Sequence, residues 1–107
     1  MKKNLNMIRG DTLSFGVEFT GMDQDLDSAY FTVKKSYDGD IIFQKSIDDG
    51  ITKEEDYKYR VRVAPADTYD IEAGQYYYDF EININSDTYT LLIGVLNVAE
   101  DVTRAVV

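Results

Sequence analysis

The sequence predicts an all-β domain in which about seven antiparallel strands form a sandwich. Apolar residues recur at every second position over most of the chain, which is the period of a strand with one buried face. Turn signals rich in glycine and aspartate separate these runs about every eight to twelve residues, and only two short stretches favour a helical turn. Together these observations favour short strands packed in two layers.

The length and the charge of the chain indicate how many domains it forms and which partners are excluded. The 107 residues have the length of one domain, and we predict a single β-sandwich over residues 1–107, with 99–107 as a flexible or docking tail. The chain has no cysteine, so disulfides do not hold the fold. A net charge of −9 repels phosphate and anionic lipid, so we expect neither nucleic acid nor a membrane as a partner. We find no apolar run of signal-peptide or membrane-spanning length.

Three segments alternate most clearly. They are residues 13–19, 57–63 and 76–85. The side chains predicted to face the core are Leu13, Phe15, Val17, Phe19, Tyr57, Tyr59, Val61, Val63, Tyr76, Tyr78, Phe80, Ile82 and Ile84. Polar residues dominate the opposite faces, as expected for half-buried strands.

Four more segments complete the predicted sandwich. They are residues 4–8, 28–35, 41–47 and 88–98. The expected inward side chains in the last three are Ala29, Phe31, Val33, Ile41, Phe43, Ile47, Tyr89, Leu91, Ile93 and Val95. Asn85-Ser86-Asp87 predicts a tight hairpin between the last two strands of the chain.

Two stretches favour a helical turn. Thr52-Lys53-Glu54-Glu55 matches a capping box, but the residues after it alternate, so we predict one turn at most. Residues 65–73 predict one or two turns that begin at Pro65 and end before Gly74.

A short crossover that leads into a strand beginning with tyrosine is typical of a tyrosine corner, in which the hydroxyl bonds to the chain upstream. We assign this role to Tyr76, with Tyr77 as the alternative. The corner favours an immunoglobulin-like sandwich over a small barrel.

The acids and tyrosines of residues 65–84 are the densest polar cluster. Alternation places Asp79 and Glu81 on the solvent face, and Asp67 and Asp70 lie where acidic side chains cap the amides of a turn. A carboxylate pair could serve glycoside hydrolysis. With twenty acids in the chain some pair is inevitable, so we interpret the cluster as structural.

Two motifs have a functional and a structural interpretation. Asp23, Asp25 and Asp27 alternate like the start of a calcium loop, but a helical calcium loop needs glycine and glutamate where Ser28 and Lys34 stand. A solvated turn is favoured over weak calcium binding. Arg9-Gly10-Asp11 spells an adhesion tripeptide, and a turn before the strand is the favoured interpretation.

We predict no enzymatic activity, no catalytic residue, no metal site and no cofactor. Without histidine or cysteine, Ser-His-Asp and Cys-His catalysis are impossible and the commonest zinc ligands are missing. No glycine-rich phosphate loop is present.

A set of short elements lies along nearly the whole chain: Arg9-Gly10-Asp11-Thr12, Phe15, Asp25-Leu26, Ala29, Val33-Lys34, Asp67-Thr68, Ile71, Gly74, Tyr76, Tyr78, Asp79, Gly94, Leu96, Val98 and Asp101-Val102-Thr103-Arg104. In these elements the chain resembles phage and prophage tail or baseplate modules with an immunoglobulin-like fold, similar to the N-terminal domain of upper baseplate proteins. The resemblance implies a non-enzymatic structural role through contacts with other phage structural proteins or self-association.

Three expectations follow. The chain would lie in the bacterial cytoplasm during assembly and then in the virion. The apolar end Ala105-Val106-Val107 predicts that the tail docks on a neighbouring subunit, with a frayed terminus as the alternative. The rival functions are a carbohydrate- or cell-surface-binding module, which the lack of tryptophan disfavours, and a hydrolase using Asp79 and Glu81.

Overall fold

The computed structural model describes residues 2–18, 26–55 and 58–101. These ranges contain eight strands and one helical turn: β1 Leu5–Ile8, β2 Leu13–Glu18, β3 Ser28–Lys34, β4 Ile41–Ile47, β5 Gly50–Glu55, β6 Lys58–Val63, α1 Pro65–Thr68, β7 Gly74–Ile84 and β8 Asp87–Ala99. The strands form one sheet in the order β1-β8-β7-β3-β4-β5-β6-β2. α1 is the only helix of the described ranges, and it is too short to cross a membrane.

The sheet folds over at the corner between β4 and β5, where the two strands share only a two-residue pairing. One layer contains β1, β8, β7, β3 and β4, and the other contains β5, β6 and β2. Phe15 of β2 meets Phe31 of β3 edge to face across the layers, with 5.4 Å between ring centroids. The ends of the sheet, β1 and β2, approach each other, so the sandwich is close to a barrel.

Most of the predicted strands are confirmed. The expected inward residues of β3, β6 and β7 are buried, among them Phe31, Val61 and Phe80 at 0% exposure. The hairpin between β7 and β8 is confirmed as well: Asn85 and Ser86 both have positive φ, as a two-residue turn that follows the strand twist requires. Phe19 and Tyr57 lie outside the described residues.

The expected helical turn at Thr52–Glu55 is wrong, because these residues belong to β5, an eighth strand. Ile51 is fully buried and pairs with Val61 of β6. The burial of one isoleucine and the hydrogen bonds to β6 therefore outweigh the local capping pattern.

The predicted inward faces of β4 and β8 are partly wrong, because a β-bulge reverses the side chains in each strand. Val33 pairs with Phe43 but Lys34 pairs with Ile41, so one extra residue turns Ile41 to the solvent side, where it is 51% exposed. In β8 the register shifts between Phe80 and Glu81 of the partner strand. Beyond that shift, Leu96 and Val98 are buried, and the predicted inward residues Ile93 and Val95 face outward.

The crossover before β7 confirms the tyrosine corner. The Tyr76 hydroxyl donates to the carbonyl of Glu72 at 2.6 Å, and the ring is 3% exposed. α1 begins at Pro65 as expected, but it ends at Thr68, and Gly74 opens β7 instead of ending the helix. Gly74 has a φ of 149°, a backbone conformation that residues with a side chain rarely adopt. This conformation, and not the end of a helix, accounts for a glycine at position 74.

The chain before β1 also contacts the sheet closely, at Ile93 and Gly94 of β8. The Lys3 amide donates to the Ile93 carbonyl at 3.0 Å, and the buried Tyr78 hydroxyl donates to the Lys3 carbonyl. A Cβ atom at position 94 would lie 2.1 Å from that same carbonyl oxygen. Gly94 therefore lets the chain before β1 approach the sheet.

Candidate functional site

Two clusters of polar and aromatic side chains stand out, and they differ in how the chain uses them. The first, which we call the Arg9 cluster, consists of Arg9, Thr68, Tyr76 and the groups that they bond. Arg9 is 7% exposed; its guanidinium donates to the Ile71 carbonyl at 3.0 Å and lies 3.1 Å from a Glu100 carboxylate oxygen. It also lies 3.6 Å from a carboxylate oxygen of Asp101.

The Arg9 cluster holds the turn before β2 against the crossover before β7. The Gly10 amide donates to the hydroxyl of the fully buried Thr68 at 2.8 Å. Gly10 has a φ of 82°, as the predicted turn requires. The turn interpretation of Arg9-Gly10-Asp11 is therefore confirmed, and a buried, ion-paired Arg9 is not available to an adhesion receptor.

The acids of α1 also act locally. A carboxylate oxygen of Asp67 accepts from the Ala64 amide at 2.7 Å, which confirms its predicted capping role. The same carboxylate pairs with the Lys45 ammonium at 2.7 Å, and this contact joins α1 to β4. Asp70 is exposed in the following turn.

Asp27 of the calcium hypothesis has a structural role. Its carboxylate accepts from the Asn85 amide at 2.8 Å and so caps the turn between β7 and β8. Asp23 and Asp25 lie outside the described residues. Within the described ranges, no three acidic side chains converge as a metal site would require.

The second cluster lies on the solvent side of β8, β7, β3 and β4, which we call the outer face. It contains Tyr30, Thr32, Lys34, Tyr37, Ile41, Gln44, Tyr77, Asp79, Glu81 and Ile93. Strand alternation brings the predicted pair Asp79 and Glu81 to this face, opposite Thr32 and Tyr30 of β3. The face thus combines half-buried polar groups with exposed apolar ones.

A tyrosine pair dominates one half of the outer face. The Tyr37 and Tyr77 rings stack with centroids 4.5 Å apart and an angle of 27° between their planes. Tyr37 is 69% exposed, and the nearby Ile93 is 37% exposed. Beside the pair lies a shallow cavity of about 120 Å³ that Asp79 and Lys34 also line.

Asp79 lies at the centre of the outer face, because it lines both this cavity and a second cavity. The second cavity has a volume of about 250 Å³ and is also lined by Ile41. Partial burial raises the pKa of the Asp79 carboxyl above its ordinary value, and the Lys34 ammonium lowers the pKa in part. A carboxylate kept partly from water is ready to accept hydrogen bonds from a bound cation or hydroxyl.

Sequence reasoning missed most of this face. It assigned Ile41 and Ile93 to the core, and the two bulges turn them outward. It gave Tyr37 no role, although a tyrosine directly before the Asp38-Gly39-Asp40 turn is a visible signal for an exposed aromatic. Its polar groups are able to hydrogen-bond a bound molecule, and its exposed rings are able to stack on one.

Comparison with solved structures identifies the architecture. One immunoglobulin domain of the ZIG-8–RIG-5 heterodimer superposes with a TM-score of 0.50 over 94% of this chain and 84% of the other, at 14% sequence identity. The fold is immunoglobulin-like.

Two further solved chains have TM-scores below 0.5. The extracellular domain of the voltage-gated sodium channel β4 subunit has a TM-score of 0.49 at 14% identity, covering 94% of this chain and 93% of that one. A putative glycoside hydrolase from Bacteroides vulgatus has a TM-score of 0.43 at 15% identity, and the match covers 85% of this chain and 16% of the hydrolase. No family model and no curated protein matches the chain.

Proposed function

We propose that this immunoglobulin-like domain is a non-enzymatic assembly module that binds another protein through its outer face. The observation that carries the proposal is the stacked pair Tyr37–Tyr77 beside the half-buried Asp79. Exposed aromatic rings next to desolvated polar groups are the composition of protein interface centres.

The other apolar residues of the outer face support the same proposal. Ile41 is 51% exposed and Ile93 is 37% exposed, although alternation predicted both for the core. Large apolar side chains left in contact with water are typical of a surface that a partner covers. The similar ZIG-8–RIG-5 domains form a heterodimer, which agrees with contact between proteins.

The setting that we propose is a phage or prophage particle, of the tail or baseplate type. Support for this setting comes from the sequence resemblance, and the partners would be other structural proteins of the same particle. The charge of −9 favours a partner with basic side chains facing Asp79 and Glu81.

Site-specific photo-crosslinking tests the surface and the setting together. A photoreactive phenylalanine derivative replaces Tyr37, and in the matched control it replaces Arg62, which is exposed on β6 of the other layer. Cells are induced for prophage release, and crosslinked products are identified by mass spectrometry. We expect one stoichiometric tail protein attached at position 37 and none at position 62.

Other results would contradict one part of the proposal or the whole of it. A crosslink from position 37 to a protein outside the particle would support binding through the outer face but contradict the phage setting. Equal products at positions 37 and 62, or none at either, would overturn the outer face as the binding surface.

One observation favours a second candidate, a carbohydrate-binding module. A solvent-exposed tyrosine pair beside Asp79, Thr32 and Lys34 offers a ring for a sugar to stack on and polar groups for its hydroxyls. A glycan array separates the two candidates. Specific hits that disappear in the Tyr37→Ser variant would favour carbohydrate binding.

A further inference from the structure

β2 forms one end of the sheet, in the layer opposite the outer face. It pairs with β6 on one side and, among the described strands, with no other strand. Residues 102–107 of the predicted docking tail lie outside the described residues. An edge strand with unpaired N–H and C=O groups is a template for one more strand.

The edge of β2 lacks the proline, the lysine and the bulge that often protect an edge strand. The strand reads Leu-Ser-Phe-Gly-Val-Glu, and its pairing with β6 runs without a shift from Leu13 to Glu18. β1, at the other end of the sheet, is only four residues long, and short edge strands pair poorly with other chains. β2 is therefore the end of the sheet that is better suited to pair with another chain.

A groove of about 240 Å³ runs beside this edge. Most of its lining is apolar, from β2, β1 and β8: Phe15, Val17, Leu5, Leu91 and Leu92. A strand added to β2 would therefore find an apolar surface for its own inward side chains.

The solvent side of β2 has a cation at its edge. Gly16 pairs with Arg60 of β6, and the Arg60 guanidinium extends over Gly16, 3.6 Å from where a Cβ atom would lie. The guanidinium donates to the Ser14 hydroxyl at 3.1 Å and to the Glu54 carboxylate at 3.0 Å. A positive charge thus lies beside Ser14 at the edge, although Arg60 belongs to the neighbouring strand.

We propose that β2 pairs with β2 of a second copy of this chain, antiparallel and centred on Gly16, and so joins two domains in a two-fold dimer. In this register each Ser14 lies opposite Glu18 of the other copy, and each Phe15 lies opposite Val17. The Glu18 carboxylate of each copy meets the Arg60 guanidinium of the other. Phe15 and Val17 of each copy pack towards the groove of the other.

A second copy is the favoured occupant because β2 complements itself under a two-fold axis. Directly opposite residues of an antiparallel pair share a face, so the axis passes through a residue and not between two. An axis at Phe15 would place Glu18 opposite Thr12, outside β2. The axis at Gly16 places Glu18 opposite Ser14, where the Arg60 guanidinium lies. Charge and register therefore agree on one arrangement.

The dimer goes beyond the binding role proposed for the outer face. Its contact lies in the other layer, so it depends on no residue of the outer face and leaves both outer faces uncovered. Two outer faces on one particle bind a repeated partner more tightly than one, because the second contact forms at a high effective concentration.

Disulfide trapping in the full chain tests the contact and its register, because the chain has no cysteine of its own. Gly16→Cys places two thiols opposite each other across the axis, at a position where a Cβ atom meets only ordinary contacts. Ser14→Cys is the matched control on the same side of the same strand, since the two copies of position 14 would lie four residues, or about 14 Å, apart. With oxidised glutathione we expect Gly16→Cys to form a covalent dimer on the order of tenfold faster than Ser14→Cys.

A mixture checks the register without a substitution at Gly16. Ser14→Cys and Glu18→Cys chains with different tags place their thiols opposite each other only in the heterodimer. We expect this heterodimer to form faster than either chain forms a covalent homodimer.

Sedimentation equilibrium tests the ionic contact. Glu18→Lys places a like charge beside Arg60 of the other copy, twice in each dimer, and should weaken dimerisation on the order of tenfold. Glu55→Lys is the matched control: it makes the same change of charge and also removes an acid beside Lys58, but it lies on β5, away from the edge. It should leave dimerisation unchanged.

Other outcomes overturn the proposal. Equal covalent dimer formation at positions 14 and 16 would contradict the register. Equal effects of Glu18→Lys and Glu55→Lys would remove Glu18 from the contact. A wild-type chain that stays monomeric at high protein concentration would show that β2 does not join two copies, and it would leave binding through the outer face untouched.

Discussion

The Arg9 cluster and the outer face are built from similar residue types, and their difference separates a structural role from the binding role that we propose. In the Arg9 cluster the chain supplies the partners: Tyr76 bonds to Glu72, and Thr68 bonds to Gly10. On the outer face, Tyr37 is 69% exposed and stacks only part of its surface on Tyr77. Acids and tyrosines indicate a binding site only where the fold leaves their surfaces to a partner.

The comparison predicts that substitutions in the Arg9 cluster change the free energy of unfolding, while those on the outer face change association. The largest effect is expected for Arg9→Ala. It removes a buried cation from beside Glu100 and Asp101, together with the bond to the Ile71 carbonyl. We expect a loss of about 3 kcal/mol in urea denaturation. Arg62→Ala, at an exposed position of β6, serves as the control and should change the free energy by less than about 0.5 kcal/mol. Similar losses in both variants would contradict the structural role of Arg9.

Tyr76→Phe tests the tyrosine corner and should have the next largest effect. The substitution removes a hydroxyl that donates to the Glu72 carbonyl and leaves that acceptor unpaired, at a cost of about 1–2 kcal/mol. Tyr77→Phe is the matched control, because it removes the hydroxyl of the neighbouring residue on the outer face. If thermal denaturation shows the two variants to be equally stable, the hydroxyl bond contributes nothing to the corner.

Tyr37→Ser tests the opposite prediction. A side chain with 69% exposure contributes little to folding, so we expect a change of less than about 0.5 kcal/mol in unfolding. In the proposed phage setting, incorporation into particles should nevertheless fall, as measured by quantitative mass spectrometry. Tyr89→Ser, at an exposed position at the start of β8, is the control and should incorporate normally. Normal incorporation of Tyr37→Ser would remove the tyrosine pair from the interface.

The smallest expected effect concerns the Asp79 carboxyl, whose pKa partial burial raises. A raised pKa means that the folded state holds this proton more tightly than the unfolded state does. Asp79 therefore lowers stability at neutral pH, and this cost disappears as the pH falls through the ordinary value of 3.8. Asp79→Asn should raise the melting temperature slightly at pH 7 and have no effect below about pH 3.8. A stability difference that is independent of pH would show that burial does not perturb Asp79.

Much of the fold could be predicted because burial imposes a period of two. Phe31, Val61 and Phe80 were correctly assigned to the core from alternation alone. Tyr76 was assigned from its position at the start of a strand after a short crossover, and the Glu72 bond confirms that assignment. These features depend on local sequence, so a local pattern is enough to find them.

Only the acids Asp79 and Glu81 of the outer face were predicted, because the rest of the face depends on pairing between distant strands. A bulge adds one residue to a strand and reverses every side chain beyond it, and nothing in the alternation of β4 or β8 marks the extra residue. Ile41 and Ile93 were therefore assigned to the wrong side. β5 was missed for a related reason: only Ile51 of that strand is buried, and Thr52–Glu55 match a capping box that predicted a helical turn.

The parallel pairing of β1 with β8 has a mechanical consequence. Lys3 is bonded to Ile93 and Arg9 to Ala99, so the two ends of the described chain leave this ladder in opposite directions. A force that pulls the ends apart would load all the hydrogen bonds of the ladder at once, in shear, instead of opening them one after another. The ladder should therefore resist such a pull along β1 and β8, and the Tyr78 hydroxyl bond to Lys3 and the close approach at Gly94 add contacts between the chain before β1 and the sheet.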